Sequence, residues 1–160
     1  MKILITGSNG LLGQKLLHQL RIDNTVELIA TSKGENRVSE QNGYTYFDLD
    51  ITNNDAVAKL IASEKPQVVI NTAAMTNVDL CEYEKQACNA LNVEAVRCLA
   101  DACKKVDAHL IQISTDFIFD GEDGPYTEED KPNPLSYYGL SKLKSEQILQ
   151  AHNVKWTVLR

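Results

Sequence analysis

The sequence predicts a doubly wound α/β domain, a parallel sheet with helices on both faces. Three observations carry that reading. Short apolar runs alternate along the chain with segments whose apolar residues recur at helical spacing. The runs are continuous rather than alternating, as strands covered on both sides are. The first run passes directly into a glycine-rich turn and then into a helical segment.

Each element follows in order. Ile3 to Thr6 is a strand, and Leu11 to Leu20 a helix. Val26 to Thr31 and Tyr44 to Leu49 are the second and third strands. Asp55 to Ser63 is a helix, halted before Pro66, because a residue preceding proline avoids the helical region. Gln67 to Asn71 encloses Val68-Val69-Ile70, a buried strand. Glu84 to Val106 reads as one long helix, followed by a strand at His109 to Ser114. Ser136 to Gln150 is a helix, and Lys155 to Leu159 the last strand. The acidic, Gly- and Pro-bearing stretch from Phe119 to Pro134 is expected to be a long loop, and long loops in compact domains are often functional. No repeat, linker or low-complexity tract divides residues 1–160, so one domain is expected.

The composition narrows the classes. Hydrophobic residues make up 43% and charged residues 24% of the 160, as in a globular protein. A net charge of -6 argues against a nucleic-acid partner, which needs a basic surface. No apolar run approaches the ~18 residues of a membrane span. The apolar start at Ile3 is too short for a signal peptide, so a cytoplasmic protein is expected. Cys81, Cys88, Cys98 and Cys103 form no C-x-x-C pair and have no histidine at metal spacing. They are expected as free thiols packed like small hydrophobes, with no metal site. His18, His109 and His152 are scattered and take no role.

The first strand ends in Thr6-Gly7-Ser8-Asn9-Gly10-Leu11-Leu12-Gly13, spaced G-x-x-G-x-x-G. Gly7 permits a tight turn, Gly10 close approach of backbone to a pyrophosphate, and Gly13 close packing of helix on strand. The helix N-terminus then presents free N–H groups and its positive dipole end to the phosphates. Between a first strand and a first helix, the triplet points to a Rossmann-like dinucleotide site; a purely structural turn is the alternative. The acid that usually binds the ribose hydroxyls is missing, since the second strand ends in Thr31-Ser32-Lys33. Lys33 and Arg37 can instead meet a 2′-phosphate, which favours NADP(H) over NAD(H); solvated loop charges are the alternative.

Tyr138 and Lys142 are spaced Y-x-x-x-K, and residues four apart share a helix face. An ammonium beside a phenol favours the phenolate and is expected to lower the tyrosine pKa from about 10. Such a tyrosine can give a proton to a carbonyl oxygen as hydride reaches the carbon. Chance alone supplies roughly half such a pair in this chain, so its place matters more, at the start of the helix after the fifth strand. That strand ends in Ile113-Ser114-Thr115-Asp116-Phe117. A hydroxyl there can bond the substrate carbonyl, and on chemistry alone either Ser114 or Thr115 serves; a local backbone bond is the alternative.

Glycine triplet, hydroxyl and Y-x-x-x-K, in that order, resemble the short-chain dehydrogenase/reductase family, and the glycine spacing is similar to its extended branch. Asn71-Thr72-Ala73-Ala74-Met75-Thr76-Asn77-Val78-Asp79, Ser114 through Gly121, and the run from Pro125 to Lys142 resemble the dTDP-4-dehydrorhamnose reductases. The resemblance implies Tyr138 as proton donor, Lys142 on the nicotinamide ribose, and Thr115 as third catalytic residue. It also implies Gly10, Leu11 and Leu12 at the pyrophosphate, and Asp50 and Ile51 at adenine, with Asp48 the alternative acid. Ala73, Ala74, Met75 and Thr76 would flank the cofactor, and Asp116 would touch a nucleotide-sugar substrate. Phe117 stands where the family usually has tyrosine, Met75 where an aromatic is frequent, and Ser136 where asparagine is frequent. These departures bear on the substrate rather than on the chemistry.

Members of the family continue past the position matching Arg160, with much of the sugar-nucleotide pocket in the later part. The chain is therefore expected to hold the catalytic residues without a C-terminal substrate domain, to bind cofactor without full turnover, and to self-associate as a homodimer through its open edge. The expected reaction is reduction of dTDP-4-dehydro-6-deoxy-L-mannose to dTDP-L-rhamnose. A regulatory subunit of methionine adenosyltransferase, which resembles the same branch and acts by binding a partner, is the alternative. A nucleotide-sugar epimerase is the third reading.

Overall fold

The computed structural model describes residues 1–160. Six strands form one parallel sheet: β1 (Lys2–Thr6), β2 (Glu27–Ser32), β3 (Thr45–Asp48), β4 (Val68–Asn71), β5 (His109–Ile113) and β6 (Lys155–Leu159). Their spatial order is β3-β2-β1-β4-β5-β6, every neighbouring pair parallel. The order reverses between β1 and β4, and at such a switch point the connections leave to opposite faces and open a crevice at the strands' C-terminal ends. The predicted doubly wound sheet is thus the observed one.

The apolar runs explain the layers. Successive strand residues point to opposite faces. Leu4, Ile29, Val69 and Leu110 join the larger core with Val57 and Ile61 of α2 (Asn54–Glu64) and Leu99 and Cys103 of α5 (Ala95–Val106). Ile3, Ile5, Leu28 and Ala30 turn to the other face and pack on Leu17 of α1 (Leu11–Leu20). Leu149 of α6 (Tyr137–Ala151) closes the larger core. Asn53 caps α2 by accepting from Ala56 N at 3.1 Å, and Ser136 caps α6 by accepting from Gly139 N at 3.1 Å. Each such cap is worth about 1 kcal/mol.

Two departures from the sequence reading matter. The expected single helix from Glu84 to Val106 is α4 (Lys85–Asn89), a π-helical turn at Ala90–Glu94, and α5 in succession. A further short helix, α3 (Val78–Tyr83), precedes it, capped by Asn77, which accepts from Leu80 N at 2.9 Å. The long loop is present, opening with a 3-10 turn at Asp116–Ile118. It is an ordered arch: Phe119 stacks on Tyr126 at 4.3 Å, and Asp120 accepts from Tyr126 Oη at 2.5 Å and from Asn133 Nδ2 at 2.8 Å. All four cysteines are free; Cys81, Cys88 and Cys103 are buried, and Cys98 is partly so. No helix is long and apolar enough to cross a membrane.

Candidate active site

The glycine loop lies where its spacing predicts. Gly7 has a φ of 69°, the left-handed region that disfavours a side chain, and a Cβ there would meet Ala73 N at 2.7 Å. A Cβ at Gly13 would collide with the Gly7 carbonyl and meet Ser8 Cα at 2.7 Å. The loop is therefore pressed between α1 and the segment after β4. Gly10 forms the N-cap of α1 without a side-chain cap bond, and the first turn carries no acidic residue. Leu11 and Leu12 are exposed at this helix start. The free N–H groups and positive helix end face outward uncompensated. Ser8 Oγ is buried without a hydrogen-bond partner. A backbone cradle closed to any side chain, with an orphaned hydroxyl inside it, fits a dinucleotide pyrophosphate.

The adenine side is set by the ends of β2 and β3. Thr31 is buried, its hydroxyl directed to Ile5 O at 3.3 Å, while its carbonyl accepts from Ser8 N at 3.0 Å. Its part is to hold the loop. The Ser32 carbonyl accepts from Leu49 N at 2.9 Å and Tyr46 Oη at 3.1 Å. Lys33 Nζ pairs with Asp50 at 2.7 Å. Lys33 and Thr52 together hold the Asp50 carboxyl down at about 2. Asp48, the alternative acid, accepts instead from Gly34 N at 2.7 Å and shapes the turn after β2. The Ile51 side chain is buried in the larger core, so only its backbone is left for a ligand. Asn9 joins the two loops, donating to Glu35 O and accepting from Arg37 N, each at 2.9 Å.

A buried polar ladder crosses the C-terminal ends of the central strands. Thr6 donates to Asn71 Oδ1 at 2.5 Å, Asn71 to Gln112 Oε1 at 2.7 Å, and Gln112 to the Ile113 carbonyl at 2.9 Å. Lys142 Nζ donates to that same carbonyl at 2.6 Å. Its ammonium thus rests on β5, not on the Tyr138 ring. Burial pulls the Lys142 pKa down to about 8. The sequence expectation of a lowered tyrosine is corrected here. Burial pushes the Tyr138 phenol up, the neighbouring Thr115 hydroxyl working the other way. Desolvation outweighs a cation that is engaged elsewhere. Of the two hydroxyls left open by chemistry, Thr115 is the one beside the phenol; Ser114 turns to Glu146 on α6. Thr115 is extended, at φ −160° and ψ 154°, and its oxygen accepts from Phe117 N at 3.2 Å. Asp116 follows it on the exposed start of the 3-10 turn, and Phe117 meets the Tyr138 ring edge-on at 5.9 Å.

Ala73, Ala74, Met75 and Thr76 form the segment after β4 that faces the glycine loop. Sequence reading missed what holds it. Asn92, in the π turn, is buried; its side chain accepts from Met75 N at 2.8 Å and donates to Met75 O at 3.0 Å. It also donates to Ser141 Oγ at 3.0 Å, and Ser141 donates to Tyr138 O at 2.7 Å. One amide therefore links the segment after β4 to the helix that carries Tyr138 and Lys142.

Residues 1–160 match the family model of the RmlD substrate binding domain. The chain belongs to this family. It is 37% identical over 160 residues to a dTDP-4-dehydrorhamnose reductase of Aggregatibacter actinomycetemcomitans, covering 99% of this chain and 50% of that protein. It is 35% identical over 159 residues to the methionine adenosyltransferase 2 subunit beta of Bos taurus, covering 99% of this chain and 46% of that one. The chain thus spans about half the length of the curated relatives it matches. Among solved structures, a dTDP-4-dehydrorhamnose reductase of Clostridium acetobutylicum superposes with a TM-score of 0.86 at 45% identity, over 99% of this chain and 52% of that one. A dTDP-4-dehydrorhamnose reductase of Bacillus anthracis in complex with NADP gives 0.80 at 31%, over 98% and 51%. Within the family fold, Tyr138 and Lys142 arise from one helix, Thr115 from the end of β5, and the glycine loop from the end of β1. The glycine loop and Thr115 both follow the C-terminal ends of parallel strands, on one side of the molecule.

Proposed function

We propose that the chain is the cofactor-binding half, with the catalytic residues, of an NADPH-dependent reductase of a 4-keto nucleotide sugar. The reaction is reduction of dTDP-4-dehydro-6-deoxy-L-mannose to dTDP-L-rhamnose. The observation that carries the reading is the Thr115 hydroxyl beside a half-buried Tyr138 phenol, at the same C-terminal end of the sheet as the glycine cradle. Bound NADPH supplies the hydride to the carbonyl carbon. Tyr138 Oη gives its proton to the carbonyl oxygen, and the raised phenol pKa keeps that proton in place at neutral pH. Thr115 Oγ1 donates a hydrogen bond to the same oxygen and fixes the sugar against the phenol. Lys142 holds the nicotinamide ribose. Asp116 and Arg160 border a pocket of about 710 Å³ beside this site, roomy enough for part of a sugar nucleotide. A homodimer belongs to the same proposal, and a strictly monomeric chain in light scattering rules it out.

The test is a titration with NADPH and NADH, followed by nicotinamide fluorescence, and then an assay of NADPH consumption with the 4-keto sugar. Saturable binding, tighter for NADPH and weakened at least about tenfold by Lys33→Glu, is expected, as for loss of one charge-assisted phosphate contact. Tighter NADH removes the Lys33 argument. No binding of either removes the dinucleotide site from this chain. Consumption of one NADPH per sugar reduced separates a reductase from an epimerase, which returns its cofactor unchanged. A cofactor bound but never consumed, with capture of a methionine adenosyltransferase catalytic subunit, would establish the regulatory reading instead.

A further inference from the structure

We propose that Glu146 is a positioning residue that clamps the end of β5 to α6 and so sets Thr115 against Tyr138. The inference rests on the reductase reading and deepens it. Tyr138, Lys142 and Glu146 follow one another at four-residue intervals along α6 and share one face. The last two tie consecutive residues of the strand end to the helix. Lys142 Nζ donates to the Ile113 carbonyl at 2.6 Å, and the Ser114 hydroxyl donates to the Glu146 carboxylate. The next residue is Thr115. Ser114 N also donates to Leu159 O at 2.6 Å, which fixes the strand end from its β6 side.

Glu146 is only 2% exposed, and burying a carboxylate is expensive unless its oxygens are filled. Here they are. Arg160 donates to Oε2 through Nη2 at 2.8 Å and through Nε at 3.3 Å, and Oε1 accepts from the Ser114 hydroxyl and, at 3.4 Å, from Arg160 Nε. Arg160 is itself held, 5.6 Å from the Phe119 ring centroid and 3.4 Å from the Glu128 carbonyl, both in the arch after the 3-10 turn. An apolar side chain at position 146 would fill the same space without the desolvation cost. Buried ionic groups are best attested as devices that fix register. What this one fixes is the height of Thr115 relative to the phenol four residues before Lys142. Productive geometry tolerates only about 0.5 Å at a reacting group, so a loosened strand end is felt in kcat before it is felt in cofactor binding.

The decisive variant is Ser114→Ala, which deletes one hydroxyl and leaves Glu146 paired with Arg160. In the NADPH-dependent assay kcat is expected to fall at least about tenfold, with KM for NADPH within about twofold of wild type. Glu146→Gln, which still accepts from Ser114, is expected to retain more activity than Glu146→Leu. A Ser114→Ala protein with unchanged kcat and only a lower Tm would reduce the contact to a structural one and overturn the proposal. A second measurement does not depend on turnover. In a crystal structure of the Ser114→Ala chain, Thr115 Oγ1 is expected to move away from the Tyr138 phenol by more than about 0.5 Å. If Thr115 stays in place, the clamp is wrong whatever the reaction. If it moves and the wild-type protein reduces no 4-keto sugar, the clamp stands and the reductase reading falls.

Discussion

Lys142 should make the protein less stable than it would be without it. Its side chain is 2% exposed, and burial lowers its pKa from 10.5 to about 8. At about 1.4 kcal/mol per pH unit, the charged form costs the fold roughly 3 kcal/mol at any pH below 8. Lys142→Met keeps the aliphatic stem and removes the charge. The bond to the Ile113 carbonyl is lost, about 1 kcal/mol, but that carbonyl still accepts from Gln112 at 2.9 Å and is not orphaned. The net gain at pH 7 is about 2 kcal/mol, or a Tm higher by roughly 4–8 °C for a chain of this size. Because the folded-state pKa is depressed, the wild type gains stability as pH rises from 8 towards 10.5, where the folded protein releases a proton that the unfolded chain keeps. By pH 9.5 the advantage of the variant should have shrunk to about zero. Thermal unfolding by circular dichroism at pH 7 and pH 9.5 measures both. A variant less stable than wild type at pH 7, or a difference equal at the two pH values, would mean that the buried ammonium does not cost the fold.

Two further perturbations test the scaffold around the pair. Gly13→Ala places a methyl against the Gly7 carbonyl and Ser8 Cα; it should cost roughly 2 kcal/mol and weaken NADPH binding at least tenfold, read by chemical denaturation and fluorescence titration. Asn92→Leu leaves the Met75 N–H unpaired and its carbonyl with only the Cys81 thiol at 3.7 Å; it should lower Tm by about 5–10 °C, and NADPH should restore less of the loss than in wild type.

What was legible in the sequence is local chemistry. The G-x-x-G-x-x-G spacing needs only a strand and a helix around it, and the structure supplies both, with Gly7 left-handed and Gly13 in backbone contact. The continuous apolar runs gave a parallel sheet because nothing but a doubly covered strand is apolar on both faces. Non-local partners were not legible. Nothing local marks Glu146, because its partners Ser114 and Arg160 lie 32 and 14 residues away. Asn92 lies in a stretch whose periodicity reads as unbroken α-helix, and the π turn shifts the register that such a count relies on. The tyrosine pKa went the other way for the same reason. Spacing places Lys142 on the face of Tyr138, but only the fold shows the ammonium bound to Ile113 and the phenol desolvated.

Family and fold do not decide between a reductase and a binding subunit, since relatives of both kinds match this chain at similar identity. The two differ in where stability would be given up. A module that only bound a dinucleotide would need the glycine cradle and the loop held by Asn92. It would gain nothing from a carboxylate enclosed at Glu146, beside a buried Lys142 whose charge the fold disfavours. Both groups lie on the helix of Tyr138 and fasten the strand end that carries Thr115. Strained or costly polar groups concentrate where chemistry needs a fixed geometry, and removing them typically raises stability at the expense of activity. If Lys142→Met is more stable and inactive while still folding to the same structure, the cost is tied to the reaction. A Lys142→Met protein equally able to turn over substrate would leave the buried ammonium without that explanation.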